Sequence, residues 1–162
     1  MNYRQKDKKY KLWSAMSAAI LLLSFGGIAS AATEEVSCGE HATYKIYDSG
    51  ALIISGSGTI IGFSDNTVRV NAQTVSIDFD GDEDVTEIGE DAFANFEVLS
   101  SVVIGDGLRK IGKDAFRGCK ALYNVDLPNT LTEIGESAFE SAGRLERYTL
   151  PEQLKSIKAR AF

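Results

Sequence analysis

The chain is poor in the residues on which most catalytic and metal chemistry depends. It has one histidine, two prolines, two cysteines and a single tryptophan in 162 residues. A lone histidine, His41, removes most acid–base and metal-ligand architectures before any motif is sought. Two prolines exclude a collagen or a proline-rich linker. Two cysteines in a chain of this length do not make a disulfide scaffold. Excess positive charge is missing too: 17 Lys and Arg stand against 23 Asp and Glu, a net charge of −6 with a pI near 4.8, so no general nucleic-acid footprint is present. What remains is a globular composition, 44% apolar and 25% charged, at a length that fits one domain.

The first 31 residues have a character of their own. Arg4, Lys6, Lys8, Lys9 and Lys11 make a basic start, Leu12 to Ile28 is apolar, and Ala29-Ser30-Ala31 supplies small residues where a signal peptidase cuts. That three-part pattern predicts a secretory signal peptide over 1–31. The rival reading is an uncleaved anchor, since Leu12 to Ala32 is long enough to cross a bilayer. Removing 1–31 leaves 12 basic and 22 acidic residues, a net charge of −10 over 131 residues. The expected product is secreted or held at the cell surface. Its acidic surface disfavours anionic lipid and nucleic acid, so no membrane contact beyond the export signal is expected.

Beyond residue 75 the chain repeats every 23 residues. Ile88, Ile111, Ile134 and Ile157 form one column, and Phe93, Phe116, Phe139 and Phe162, each preceded by alanine, form another. Leu99, Leu122 and Leu145 keep phase, as do Leu108, Leu131 and Leu154, and Val102, Val125 and Tyr148. Leu99-x-x-Val102-x-Ile104 ends in period-two alternation, which predicts a short strand with one buried face. Gly89, Gly112 and Gly135 mark a turn expected to need positive φ. Asp91, Asp114 and Ser137 are expected as N-caps of a short helical turn carrying Ala-Phe. Phe96, Cys119 and Ala142 share the inward side of that turn. No single unit buries its own apolar face, so the units must stack into a repeat solenoid of mixed α/β type.

Ile-Gly-x-x-Ala-Phe-x-x-Cys-x-x-Leu-x-x-Val-x-Leu-Pro, from Ile111 to Pro128, resembles the BspA-like class of leucine-rich repeat. The resemblance covers about residues 75–162, with Phe96 and Ala142 in place of the usual cysteine and Lys158 in place of glycine. It implies a secreted or cell-surface protein that adheres to a host or neighbouring cell. The expected copies are an atypical first repeat at 75–87, then 88–110, 111–133, 134–156 and a stub at 157–162.

Residues 32–74 do not repeat but read as β. Tyr44 and Ile46 alternate with polar neighbours, Asp48-Ser49-Gly50 turns the chain, and Leu52 and Ile54 alternate again, which predicts a hairpin. This segment is similar to the one that precedes the repeats in many BspA-like proteins, and its expected role is an N-terminal cap. The loop Asp78-x-Asp80-Gly81-Asp82-Glu83-Asp84 invites a calcium reading, but its sixth position is Glu83 and its twelfth is Gly89. It is expected as a solvated acidic turn, and no metal or cofactor is predicted. Cys38 and Cys119 fall at least one repeat apart, so no bond between them is expected.

Catalysis has little to stand on. His41 lies in the cap beside Glu40, no activated nucleophile is apparent, and the acids fall on turns and caps. A carboxylate-based hydrolase is the remote alternative, and a non-enzymatic binding module is the expected class. The outward strand positions are its candidate ligand residues on a concave face: Asp78, Ser101, Val103, Asn124, Asp126, Arg147 and Thr149, with Ser76 beside them. The expected partner is an extracellular protein or glycan. The sequence closes on Ala161-Phe162 in mid-repeat, which admits end-to-end self-association, and admits a scaffold or the N-terminal part of a longer protein with no ligand of its own.

Overall fold

The structure is a computed structural model that describes residues 35–63, 76–79, 85–143, 145 and 149–162. The expected leader, the acidic loop at 80–84, Arg147 and Tyr148 lie outside the described residues. Among the described residues there are ten strands: β1 (Val36–Ser37), β2 (Gly39–Ile46), β3 (Ala51–Ile60), β4 (Ser76–Phe79), β5 (Val85–Ile88), β6 (Ser101–Val103), β7 (Lys110–Ile111), β8 (Asn124–Asp126), β9 (Glu133–Ile134) and β10 (Ser156–Ile157).

The chain enters through a hairpin. β2 pairs antiparallel with β3, Tyr44 opposite Ile54, across a turn in which the Gly50 N–H donates to the Tyr47 carbonyl at 2.8 Å. β3 then serves two ladders. Its first half pairs in parallel with β4, and its second half pairs in parallel with β5. Between the halves Gly56 and Gly58 take φ of 106° and 83°, a region that side chains resist. A Cβ on Gly56 would also overlap the His41 carbonyl.

From β3 outward one ladder runs β3-β4-β6-β8 and the other β3-β5-β7-β9-β10. The first aligns Leu52, Ile77, Val102 and Val125. The second aligns Ile60, Ile88, Ile111, Ile134 and Ile157. The hairpin strand is therefore the first rung of both ladders as well as their cover.

The third side corrects two expectations. No helix occurs among the described residues; the Ala-Phe segment is a chain of turns. Asp91, Asp114 and Ser137 are not N-caps but stand at φ of 54°, 55° and 52°, left-handed backbone that a right-handed helix cannot contain. Alternate N–H groups there reach across to the next coil. Asp91, Phe93 and Asn95 donate to the carbonyls of Lys113, Ala115 and Arg117 at 3.0, 2.8 and 2.7 Å. Asp114, Phe116 and Gly118 do the same toward Glu136, Ala138 and Glu140. Groups bonded between coils are not available to an i→i−4 ladder within one coil.

The glycine column is the second correction. Gly89, Gly112 and Gly135 do not adopt positive φ. They are needed because the coils touch: a Cβ on Gly112 would lie 2.6 Å from the Gly89 carbonyl carbon, and one on Gly135 2.5 Å from that of Gly112. Inside, the phenylalanines stack. Centroids of Phe93, Phe116, Phe139 and Phe162 follow one another at 5.1, 5.2 and 5.3 Å with planes within 11°. Phe63 starts the stack 5.5 Å from Phe93, tilted by 55°. Phe96, Cys119, Leu99, Leu122, Leu108 and Leu131 complete the buried core, with Ala142, Leu145 and Leu154 partly buried against it.

Candidate binding face

Strand alternation builds the face carried by β4, β6 and β8. Val102 and Val125 fill the interior, so their neighbours Ser101, Val103, Asn124 and Asp126 turn outward. Parallel register brings Ser76, Ser101 and Asn124 into one row and Asp78, Val103 and Asp126 into the next. Ser101, Val103 and Asn124 are half-buried between their neighbours, and Asp126 is exposed. Thr149 occupies the repeat position of Asp126 one coil further on and is exposed, but it belongs to no strand. The structure thus gathers Ser101, Val103, Asn124 and Asp126 on adjoining strands, aligns the backbone of Asp78 with them, and leaves Thr149 beyond the last of them. Tyr123, immediately before β8, adds an exposed aromatic ring that the outward-position reading passed over, because it sits out of phase with the strand.

The other two sides spend their charged groups on each other. Lys110 meets Glu87 at 2.7 Å, Lys113 meets Glu90 at 3.6 Å and Lys120 meets Glu97 at 2.6 Å, each pair one repeat apart. Arg117 lies 3.7 Å from Asp91 and 3.1 Å from Asp114, and Arg160 lies 3.0 Å from Glu136. The hydrogen bond that the Lys110 ammonium donates to Glu87, with the charges of Glu87 and Glu133, raises it above the usual lysine range. By contrast, the side chains of Asn124 and Asp126 enter no hydrogen bond or ion pair with any described residue.

These pairs follow an alternation between whole coils. Residues 86–97 carry four acids and no base, and 109–120 carry five bases and one acid. Residues 132–143 then carry three acids and no base, and 155–162 three bases and no acid. The signal is readable at a 23-residue offset once the rungs are known to stack.

His41 is exposed on β2, its imidazole 3.8 Å from the Glu40 carboxylate, and its side chain makes no hydrogen bond to a serine or cysteine side chain among the described residues. Cys38 and Cys119 are free, buried thiols. Burial pushes each up to about 12. The Cys119 thiol donates to the Phe93 carbonyl at 3.2 Å. A thiol so placed is neutral at physiological pH and is a packing group. Among the described residues no cluster of three or more His, Cys, Asp or Glu is arranged to hold a metal ion.

Parallel strands repeated along one axis, with one isoleucine and one phenylalanine per coil, define a solenoid of the leucine-rich repeat class. The family described as the BspA type leucine rich repeat region (6 copies) matches residues 70–162, more than half of the chain. The chain belongs to this family. Among solved structures it is similar to a leucine-rich repeat protein of T. pallidum, at 25% identity and a TM-score of 0.51, covering 75% of this chain and 53% of that one. It is also similar to a Bacteroides ovatus leucine-rich repeat protein (24% identity, TM-score 0.53, 82% and 37% covered) and to one from Eubacterium ventriosum (18%, 0.55, 79% and 40%). The chain therefore spans about half or less of the length of each. No curated protein matches the chain.

Proposed function

We propose that this chain is a secreted or cell-surface binding module that adheres to proteins or glycans of a host or neighbouring cell, and that it is not an enzyme. One observation carries the reading. Charged groups on two sides of the solenoid are paired between coils, as in Glu87–Lys110, Glu90–Lys113 and Glu97–Lys120, while the side chains of Asn124 and Asp126 on the third stand on a parallel ladder and enter no hydrogen bond or ion pair with any described residue. Polar groups kept free on a fixed backbone are what a ligand surface needs, because their ordering cost is met in the fold. Export rests on the basic and apolar pattern of residues 1–31. The ligand residues are Asp78, Ser101, Val103, Asn124, Asp126, Arg147 and Thr149.

The test is a glycan and extracellular-matrix array probed with residues 32–162 and with a variant in which Asn124, Asp126, Arg147 and Thr149 become alanine. Binding by the parent that is lost in a variant with an unchanged circular dichroism spectrum supports the module and locates its face. Binding that survives the four substitutions removes this face from the reading. Silence from both proteins removes the adhesive role and leaves a scaffold.

A further inference from the structure

The candidate face borders an aromatic ring that the adhesive reading leaves unused, and that ring selects between a protein and a glycan as ligand; the selection rests on that reading. Tyr123 is 53% exposed, and its ring lies against no other aromatic ring among the described residues. The coil beneath fixes its position, since the N–H groups of Tyr123 and Asn124 both donate to the Ser100 carbonyl, at 3.1 and 3.4 Å. Tyr123 therefore stands at the entry of β8, next to the row of Ser101 and Asn124 and one row from that of Val103 and Asp126.

We propose that this face takes a short neutral glycan of equatorially substituted sugar rings, with Tyr123 as the platform on which one ring stacks. Size argues first. The rungs β4, β6 and β8, about 4.8 Å apart, present about 150 Å², the footprint of a few sugar rings and far below the roughly 800 Å² that each side of a stable protein interface supplies. Chemistry argues next. An aromatic ring has a negative face. A pyranose with equatorial hydroxyls turns a flat set of weakly positive axial C–H groups toward such a face and keeps its hydroxyls around the rim. The groups that meet the rim are on β6 and β8: the Asn124 amide donates and accepts, the Asp126 carboxylate accepts from two neighbouring hydroxyls, and the Ser101 hydroxyl does either. A protein hot spot would need the ring enclosed in a desolvated patch, whereas its outward neighbours on β8 are Asn124 and Asp126. Charge excludes sulfated and sialylated chains. Ser101, Val103, Tyr123, Asn124 and Asp126 include one acid and no base, and Lys120 is already paired with Glu97 at 2.6 Å.

The probes are cellotriose and triacetylchitotriose as neutral glycans, sialyllactose and a heparin tetrasaccharide as anionic ones, and collagen stripped of its glycans as the protein. Saturation-transfer NMR with the purified chain is expected to show a neutral trisaccharide bound, with transfer concentrated on the axial C–H protons of one sugar face. Its affinity is expected to be insensitive to salt, because no net charge is paired. Tyr123→Ala is expected to weaken binding about tenfold, the scale of one aromatic contact, while Tyr123→Phe, which keeps the ring, stays within about twofold. Ile61→Ala, at an exposed apolar side chain away from the face, is expected to change nothing. Asp126→Asn, at an exposed side chain, is expected to weaken binding as well, and serves if the alanine variant does not fold. Unchanged binding in Tyr123→Ala, equal losses in the Ala and Phe variants, or preference for an anionic probe would each overturn the proposal. Binding of the stripped collagen with both neutral trisaccharides silent would overturn it and leave the adhesive reading standing. Silence of these probes and of the wider glycan and matrix array would remove both.

Discussion

Phe116 lies between Phe93 and Phe139, fully buried, with its ring nearly parallel to both neighbours. Truncation to alanine removes contacts on two sides and leaves a void that the rigid ladders cannot close. The expected cost is about 3–5 kcal/mol, read from urea denaturation. That is a large share of the roughly 5–15 kcal/mol that holds a domain together. A loss under about 0.5 kcal/mol, the level of a surface change, would show that the stack does not support the fold. Glycine 112 makes the complementary case. Gly112→Ala places a methyl group 2.6 Å from the Gly89 backbone, so two coils must separate, an overpacking cost of about 1–3 kcal/mol. Gly143→Ala is the control: its nearest neighbour would be the Lys120 carbonyl oxygen at 3.7 Å, and a change within about 0.5 kcal/mol is expected. The two thermal or urea midpoints, measured side by side, separate close approach from ordinary glycine entropy.

Between strands, the buried thiols report on how the hairpin and the coils hold together. Cys38 precedes β2 and Cys119 sits in the second coil, each pushed up to about 12 by burial from an ordinary value of 9.0. The folded state therefore keeps its thiol protons more tightly than the unfolded chain does. The stability this contributes is complete below about pH 9 and is lost as pH climbs toward about 12. Urea midpoints are expected to fall more steeply above pH 9 in the parent than in the double variant Cys38→Ala, Cys119→Ala; parallel curves would mean the thiols are solvated. These strands also show where sequence was sufficient and where it was not. The isoleucine, leucine and phenylalanine columns were legible because a buried column needs the same shape in every coil. The helical turn was misread because Asp91-Ala92-Phe93 has the residues of a capped helix, while its N–H groups are claimed by Lys113 and Ala115, a competitor visible only when the next coil is in place. The glycines were found but assigned the wrong cause, since positive φ and close approach both demand glycine. The double duty of β3 had no signature beyond Gly56 and Gly58. In the candidate face, the outward places of Ser101, Val103, Asn124 and Asp126 follow from alternation alone, whereas the exposure of Tyr123 and the lack of a partner for Asn124 and Asp126 among the described residues depend on what the neighbouring coils do.

For the molecule as a whole, geometry limits how tightly it can hold a partner. The three rungs β4, β6 and β8, about 4.8 Å apart and each presenting three or four residues at about 3.3 Å per residue, give an outward face of about 150 Å². A stable protein interface needs about 800 Å² from each side. A single copy is thus expected to bind a protein weakly, or to take only a short peptide or glycan segment. Clustering changes the outcome without adding a contact, because a second attachment becomes intramolecular once the first is made; the gain is about 10²–10⁴ when spacing permits both. The check is surface plasmon resonance in two formats against any ligand found on the array, the chain first in solution over sparse ligand and then displayed densely on beads. Weak monovalent binding with a gain of at least a hundredfold on dense display is expected. Equal affinity in both formats would mean that one copy buries far more surface than the β4–β6–β8 face offers, and the contact would then have to include the charge-paired sides.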